Sequence, residues 1–100
     1  MEKYKIMIAP RAVNELNLIY DYIANSKLAP ENAKKQVERI KKSILSLDTF
    51  PQSHQKRNIG KYSEKSYRQL IVDNYIVIFE IDKKEKFVHV VTIQYQGRNF

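Results

Sequence analysis

The sequence predicts an α+β domain with the element order β-α-α-β-β-β, in which an antiparallel helical hairpin packs on a small, mostly antiparallel sheet. Three observations predict this fold. A short alternating run precedes Pro10, two stretches that begin at Pro10 and Pro30 carry apolar residues at helical spacing, and the last third alternates like strands. One hundred residues suffice for one small domain, so we expect a single domain over residues 1–100.

The first strand and the first helix meet at Pro10. Apolar residues alternate along residues 4–8, which is the period of a strand. Proline fits the first turn of a helix, where its missing N–H is not needed. The apolar residues that follow recur at helical steps: Val13, Leu16, Ile19, Tyr20 and Ile23. We expect this helix to close at Asn25-Ser26.

Pro30 opens the second helix, and Glu31 in its first turn favours the positive end of the helix dipole. An apolar stripe follows in steps of four and three: Ala33, Val37, Ile40, Ile44 and Leu47. Phe50-Pro51 ends the stripe. Because the link between the two helices is short, they should pack as an antiparallel hairpin.

The last third of the chain predicts a β-meander with strands over residues 67–72, 75–82 and 87–95. Asp73-Asn74 suits a two-residue hairpin turn, because both residue types tolerate positive φ. The strand from Tyr75 is apolar on both faces and should be central. Strict alternation places five residues of the last strand on one face: Phe87, His89, Val91, Ile93 and Tyr95.

The composition excludes several classes of protein. There is no cysteine, so thiol chemistry and disulfides are excluded, and two histidines do not predict a metal site. The two glycines lie far apart, which excludes a glycine-rich nucleotide loop. Neither a membrane span nor a signal peptide is predicted, so we expect a cytoplasmic protein. We also expect no cofactor and no small-molecule substrate. The net charge of +7 calls for an anionic partner.

The excess positive charge is concentrated between the second helix and the meander. From His54 to Arg68 the chain holds five cations against Glu64, which is +4 of the total +7. The cations are Lys56, Arg57, Lys61, Lys65 and Arg68. With Tyr62 and Tyr67 beside them, they could bind the phosphates and bases of nucleic acid. The alternative is a solvated loop that serves solubility.

Four further side chains are candidates for chemistry. Arg68 shares a strand face with apolar residues, so it either pairs with a carboxylate or holds a phosphate. Tyr95 and Arg98 could join it in a phosphate-handling cluster, although Tyr95 alone is better explained by packing on the hairpin. His54 could act as a general base near neutral pH, whereas His89, among valines, is expected to be a satisfied structural histidine.

Three stretches resemble the RelE/ParE family of bacterial toxins in order and spacing. They are Leu18–Ala24, the strand pair Tyr67–Leu70 with Asn74–Ile81, and the ending Ile93–Arg98. The resemblance covers essentially the whole chain. It implies the toxin half of a type II toxin–antitoxin module, with a small acidic antitoxin wrapped around it. The charge of +7 accords with such a partner.

The resemblance implies two possible activities. RelE-like members cleave mRNA on the ribosome without a metal, and here Arg68, Arg98 and Tyr95 would be catalytic while Lys56, Arg57, Lys61 and Lys65 would bind the target. ParE-like members inhibit DNA gyrase and need no catalytic residues of their own. Ile76 stands where RelE-like nucleases usually carry an arginine, and the sequence ends at Phe100 before a distal tyrosine that some of them use. We therefore favour the ParE-like activity, with the RelE-like nuclease as the alternative and a non-toxic basic nucleic-acid-binding module as a third reading.

Overall fold

The computed structural model describes residues 3–26, 28–49, 51–54 and 67–96. The strands are β1 (Lys5–Ile8), β2 (Tyr67–Val72), β3 (Tyr75–Asp82) and β4 (Phe87–Tyr95), and the helices are α1 (Pro10–Asp21) and α2 (Pro30–Leu45). A π-helical turn (Tyr22–Ser26) follows α1, and short 3-10 turns cover Ser46–Asp48 and Pro51–Ser53. The predicted fold is confirmed. Within the described ranges, none of the helices combines the length and the apolar character that crossing a membrane requires.

The four strands form one sheet in the order β1-β4-β3-β2. β1 runs parallel to β4, and the other two pairs are antiparallel. β3 and β4 are therefore the central strands. Val77, Ile78 and Phe79 in β3 are fully buried, as the doubly apolar pattern of that strand predicts.

The main core lies between the helical hairpin and one face of the sheet. Apolar residues spaced three and four apart on the helices meet alternate residues of the strands. Its fully buried members include Ala12 and Ile40 from the helices and Val77, Phe79, Val88 and Val90 from the strands. A smaller cluster on the opposite face is built on Ile76 and Ile78. The sheet therefore has a helix face and an outer face.

The first helix departs from α geometry before its predicted end. Its α-helical part stops at Asp21, and residues 22–26 widen into a π turn. The N–H of Ala29 donates to the carbonyl of Ile23 at 3.3 Å and closes the link to α2. Leu28 lies in this link with φ of 51° and is 85% exposed. Single-turn π segments occur frequently at functional sites, so this end of the hairpin is of interest.

A β-bulge changes the faces of β4. Ile78 pairs with Thr92 while Phe79 pairs with Val90, so β4 carries one extra residue at Val91. Val90 and Ile93 therefore both pack in the helix-face core, whereas Val91 packs on the outer cluster. The prediction that Phe87, His89, Val91, Ile93 and Tyr95 share one face is wrong for this reason. Strict alternation does not continue through a bulge.

Glu15 of α1 binds the polar groups that the bulge presents. The Thr92 hydroxyl donates to the two Glu15 carboxylate oxygens at 2.8 and 3.0 Å, and the Ile93 N–H donates to Oε1 at 2.8 Å. Thr92 is fully buried. A buried hydroxyl and a backbone N–H without a partner would each be costly. This carboxylate therefore fastens α1 to the irregular part of β4.

The β2–β3 turn is tied to α2. Asp73 adopts φ of 56°, in agreement with the predicted turn. Its Oδ2 accepts from Arg39 Nε at 2.8 Å and from Gln36 Nε2 at 2.9 Å. These hydrogen bonds, Arg39 first, hold the pKa of Asp73 below its ordinary value, so the carboxylate stays ionised. The pair lies at the surface, so it fixes geometry more than it adds stability.

Candidate functional site

Two grooves lie at opposite ends of the sheet. The hairpin groove, of about 660 Å³, runs between the π turn, α2 and the end of β4. The outer groove, of about 750 Å³, surrounds the end of the sheet where β3 stops and β4 begins. Half of the ten residues that line the first are aromatic or aliphatic, and Lys35 and Arg39 are among its polar residues. The second mixes charged residues with Met7 and Phe87.

Three tyrosines shape the hairpin groove. The Tyr75 and Tyr95 rings lie 5.5 Å apart between centroids with a tilt of 57°. Tyr95 is 63% exposed and Tyr22, from the π turn, is 55% exposed, while Tyr75 is buried beneath them. Burial, then the neighbouring phenols of Tyr95 and Tyr22, raises the pKa of Tyr75, so its hydroxyl remains protonated. Rigid amphipathic rings of this kind are typical of recognition surfaces.

The hairpin groove contains one tyrosine that the sequence analysis named, Tyr95, and two that it did not, Tyr22 and Tyr75. Tyr95 lines the same groove as Ile19 and Ile23, but its ring contacts Tyr75 and is largely exposed, so its packing on the hairpin stays a prediction. Tyr22 and Tyr75 were not singled out as candidates from the sequence, because Tyr22 lies inside the predicted first helix and Tyr75 opens a strand predicted to be central. Tyr22 is exposed because the α-helix ends one residue before it, at Asp21, and the π turn changes the direction of the side chains that follow.

The outer groove contains a pair of side chains from adjacent strands. His89 Nδ1 lies 3.3 Å from Glu80 Oε1, and the two residues are register partners on β4 and β3. Their side chains are 43% and 45% exposed. His89 therefore has a partner, as expected of a structural histidine, but it lines an open groove rather than a core of valines. The register of the β3–β4 hairpin, once its turn is assigned, is the signal that could have found this pair.

Arg68 also lines the outer groove, and it is anchored from behind. Its Nη1 donates to the carbonyl oxygen of His54 at 2.7 Å. The His54 ring meets the edge of Phe79, with 6.0 Å between centroids and an interplanar angle of 85°. Arg68 therefore donates to a backbone carbonyl, whereas the sequence suggested a carboxylate or a phosphate as its partner. The contact fixes the direction of the guanidinium at the mouth of the groove.

Arg68 and Tyr95 do not meet. Arg68 pairs with Phe79, which pairs with Val90, and Tyr95 lies five residues further along β4. At roughly 3.3 Å per residue, that is about 16 Å along the strand. The phosphate-handling cluster expected from the sequence is therefore not assembled from these two side chains. The other predicted site residues lie outside the described residues: Lys56, Arg57, Lys61, Lys65 and Arg98.

His54 should make the stability of the domain depend on pH. Burial, then the Arg68 charge, lowers the pKa of His54 in the folded chain below 6.5. Between the folded and unfolded pKa values the unfolded chain binds more protons, so stability is fully present above pH 6.5 and falls as the pH drops toward the folded value. We expect His54→Gln to flatten this decline in urea unfolding at pH 7.5, 6.5 and 5.5. An equal decline in the variant would assign the pH dependence to other groups.

The fold and the sequence were compared with known proteins. A family model described as "ParE toxin of type II toxin-antitoxin system, parDE" matches residues 6–100. The search of curated proteins gave no match. Among solved structures, the chromosomal ParDE system from P. aeruginosa aligns with a TM-score of 0.79 at 18% identity, covering 95% of this chain and 98% of that chain.

Two RelE-type structures are also similar. The RelBE2 toxin–antitoxin complex from Mycobacterium tuberculosis aligns with a TM-score of 0.68 at 12% identity, covering 95% of this chain and 93% of that chain. The archaeal RelE–RelB complex from Pyrococcus horikoshii aligns with a TM-score of 0.66 at 15% identity, covering 97% of this chain and 99% of that chain. These structures share the fold, and the family match covers nearly the whole sequence. The chain therefore belongs to the ParE family of toxins of type II toxin–antitoxin systems.

Proposed function

We propose that this toxin arrests growth by inhibiting DNA gyrase, which is the ParE-like activity that the sequence analysis favours. The observation that carries the proposal is the environment of Ile76. This residue occupies the position where RelE-like nucleases usually carry an arginine, and here it is buried against Ile78 in the outer-face cluster. An aliphatic side chain offers nothing to a phosphate in a transition state. The separation of Arg68 from Tyr95 also supports an activity that needs no catalytic cluster.

A supercoiling assay tests the proposal. Purified toxin added at stoichiometric excess should abolish supercoiling of relaxed plasmid by gyrase or trap cleaved gyrase–DNA complexes. Arg68→Ala should inhibit as the unaltered chain does, because the inhibition does not depend on catalysis by this residue. Unchanged supercoiling at excess toxin would overturn the proposal.

The alternative function is RelE-like, ribosome-dependent cleavage of mRNA. One arrangement favours it: Arg68 and the His89–Glu80 pair line the same groove. Arg68 could supply a positive charge for the phosphate, and Glu80 could orient the His89 imidazole. In a programmed-ribosome assay this function predicts a cut mRNA, with the cutting lost in Arg68→Ala. Intact mRNA beside active ribosomes excludes it. Normal growth after induction of the chain alone would favour the third reading, a non-toxic nucleic-acid-binding module.

We also propose that the partner of this toxin is an antitoxin and that it docks in the hairpin groove. The groove offers aliphatic and tyrosine side chains that are only partly covered, and apolar anchors fill such pockets in stable complexes. Lys35 lies on its α2 side beside Arg39, which already pairs with Asp73, so an acidic segment would find its cation in Lys35. The toxin carries +7 overall, which favours rapid association with an acidic protein. An amphipathic segment with aromatic or aliphatic anchors and flanking carboxylates is the expected occupant.

A further inference from the structure

The outer groove contains a feature that neither gyrase inhibition nor antitoxin docking uses. Phe87 and His89 occupy alternate positions of β4, one of the two central strands of the sheet. Both rings line the groove on the outer face, about 7 Å apart at the spacing of a strand. Glu80 Oε1 lies 3.3 Å from His89 Nδ1. The other ring nitrogen, Nε2, lies on the side of the imidazole away from Glu80. Two flat rings are therefore presented side by side on the sheet.

Cations line the same groove as these rings. Lys83 and Lys84 lie in the β3–β4 turn and line the groove, and Arg68 lines it from the start of β2. Lys5 of β1 pairs in register with Phe87 and adds a charge on the same side. Among the described residues, no acidic side chain forms an ion pair with Lys5, Lys83 or Lys84. These three ammonium groups are available to an anion.

The groove also contains two carboxylates, Glu80 and Asp82, and each is engaged locally. Glu80 lies against His89. Asp82 accepts the backbone N–H of Glu85 at 3.0 Å and so closes the β3–β4 turn. Each therefore has a local structural role, whereas the ammonium groups of Lys83 and Lys84 have none among the described residues. The groove thus presents two rings in a lining that holds Arg68, Lys83 and Lys84 against Glu80 and Asp82, a net charge of +1.

We propose that the outer groove binds single-stranded nucleic acid, with bases stacked on Phe87 and His89 and phosphates bound by Lys83, Lys84 and Lys5. Stacking platforms on open sheets, bordered by cations, bind single strands because every base has a flat face that a single strand leaves accessible. A duplex hides those faces. This activity goes beyond the proposed inhibition of gyrase and does not depend on it.

Fluorescence anisotropy with labelled dT12 and rU12 tests the proposal. At low salt both oligonucleotides should bind, and the logarithm of the association constant should fall linearly with the logarithm of the salt concentration. Lys83→Glu/Lys84→Glu should bind at least about tenfold more weakly, and removal of two phosphate contacts should reduce the salt slope by roughly 1.4. The matched control is Lys34→Glu/Lys41→Glu on the exposed side of α2, which changes the net charge equally. It should retain the salt slope.

Phe87→Leu tests the stacking contribution. Leucine keeps an apolar side chain but has no aromatic face, and loss of one stacked base should weaken binding by about 5- to 150-fold. Circular dichroism checks that the variant is folded. The proposal is overturned if neither oligonucleotide binds at low salt, if both lysine pairs weaken binding equally, or if folded Phe87→Leu binds as the unaltered chain does. Because gyrase inhibition is measured separately, either proposal can fail without the other.

Discussion

Replacement of Tyr95 by aspartate is expected to leave the toxin active while it weakens the antitoxin complex by about 30- to 700-fold, the loss that corresponds to one hot-spot residue. The substitution removes a ring from the hairpin groove and puts a carboxylate where the partner must bury apolar anchors. Tyr95 is 63% exposed, so the change should cost the folded chain little. Tyr22→Asp, in the π turn across the groove, should have an effect of the same order.

The experiment uses as the antitoxin a protein that neutralises the unaltered toxin when the two are co-expressed. Cells that co-express both proteins should grow with the unaltered toxin and arrest with either variant, and titration calorimetry should give the change in affinity. Tyr20→Asp is the matched control, because Tyr20 is an exposed tyrosine of α1 that does not line the groove. Full neutralisation of both groove variants, or equal escape of the control, would contradict docking in this groove.

The two grooves are built by different parts of the fold. The hairpin groove depends on the helices, because the π turn brings Tyr22 beside the end of β4. The outer groove depends on the strands alone, since register sets Glu80 against His89. A partner that covers the first need not cover the second. Antitoxin variants that lose neutralisation can therefore be separated from toxin variants that lose nucleic-acid binding.

Local patterns predicted the strands of the meander well. The bounds of β2, β3 and β4 agree with those expected, because each run is closed by turn residues such as Asp73, whose φ is 56°. The bulge at Val91 carried no such local signal, since a bulge depends on what the neighbouring strand and helix require. The parallel pairing of β1 with β4 joins residues more than 80 positions apart, and the periodicity of either strand alone does not indicate it.

The candidate site was harder to predict than the fold. Residue type identified Arg68 and Tyr95, but their distance apart depends on the sheet register, which the sequence left open. The His89–Glu80 pair follows from that same register, whereas the sequence led only to the interpretation of His89 as structural. The sequence identifies which side chains could take part in a site, whereas the distances between them depend on how the strands pair.

Glu15→Ala is expected to destabilise the domain by about 2–4 kcal/mol, which is a large part of the stability of a small domain. The change leaves the buried Thr92 hydroxyl and the Ile93 N–H without the acceptor they share. Glu15→Gln retains one carbonyl acceptor and should cost less. Urea unfolding, with the free energy of unfolding extrapolated to water, measures both.

Two further variants distinguish the bulge contacts from a surface charge effect. Glu15 also accepts from Arg11 Nε at 3.4 Å, in an exposed pair whose loss should cost less than about 0.5 kcal/mol in Arg11→Ala. Thr92→Val removes the hydroxyl from the same network, so its effect and that of Glu15→Ala should not add. Additive losses, or an Arg11→Ala loss as large as that of Glu15→Ala, would mean that the carboxylate acts at the surface. A loss shared by Glu15→Ala and Thr92→Val would instead show that the carboxylate stabilises the domain through the polar groups of the bulge.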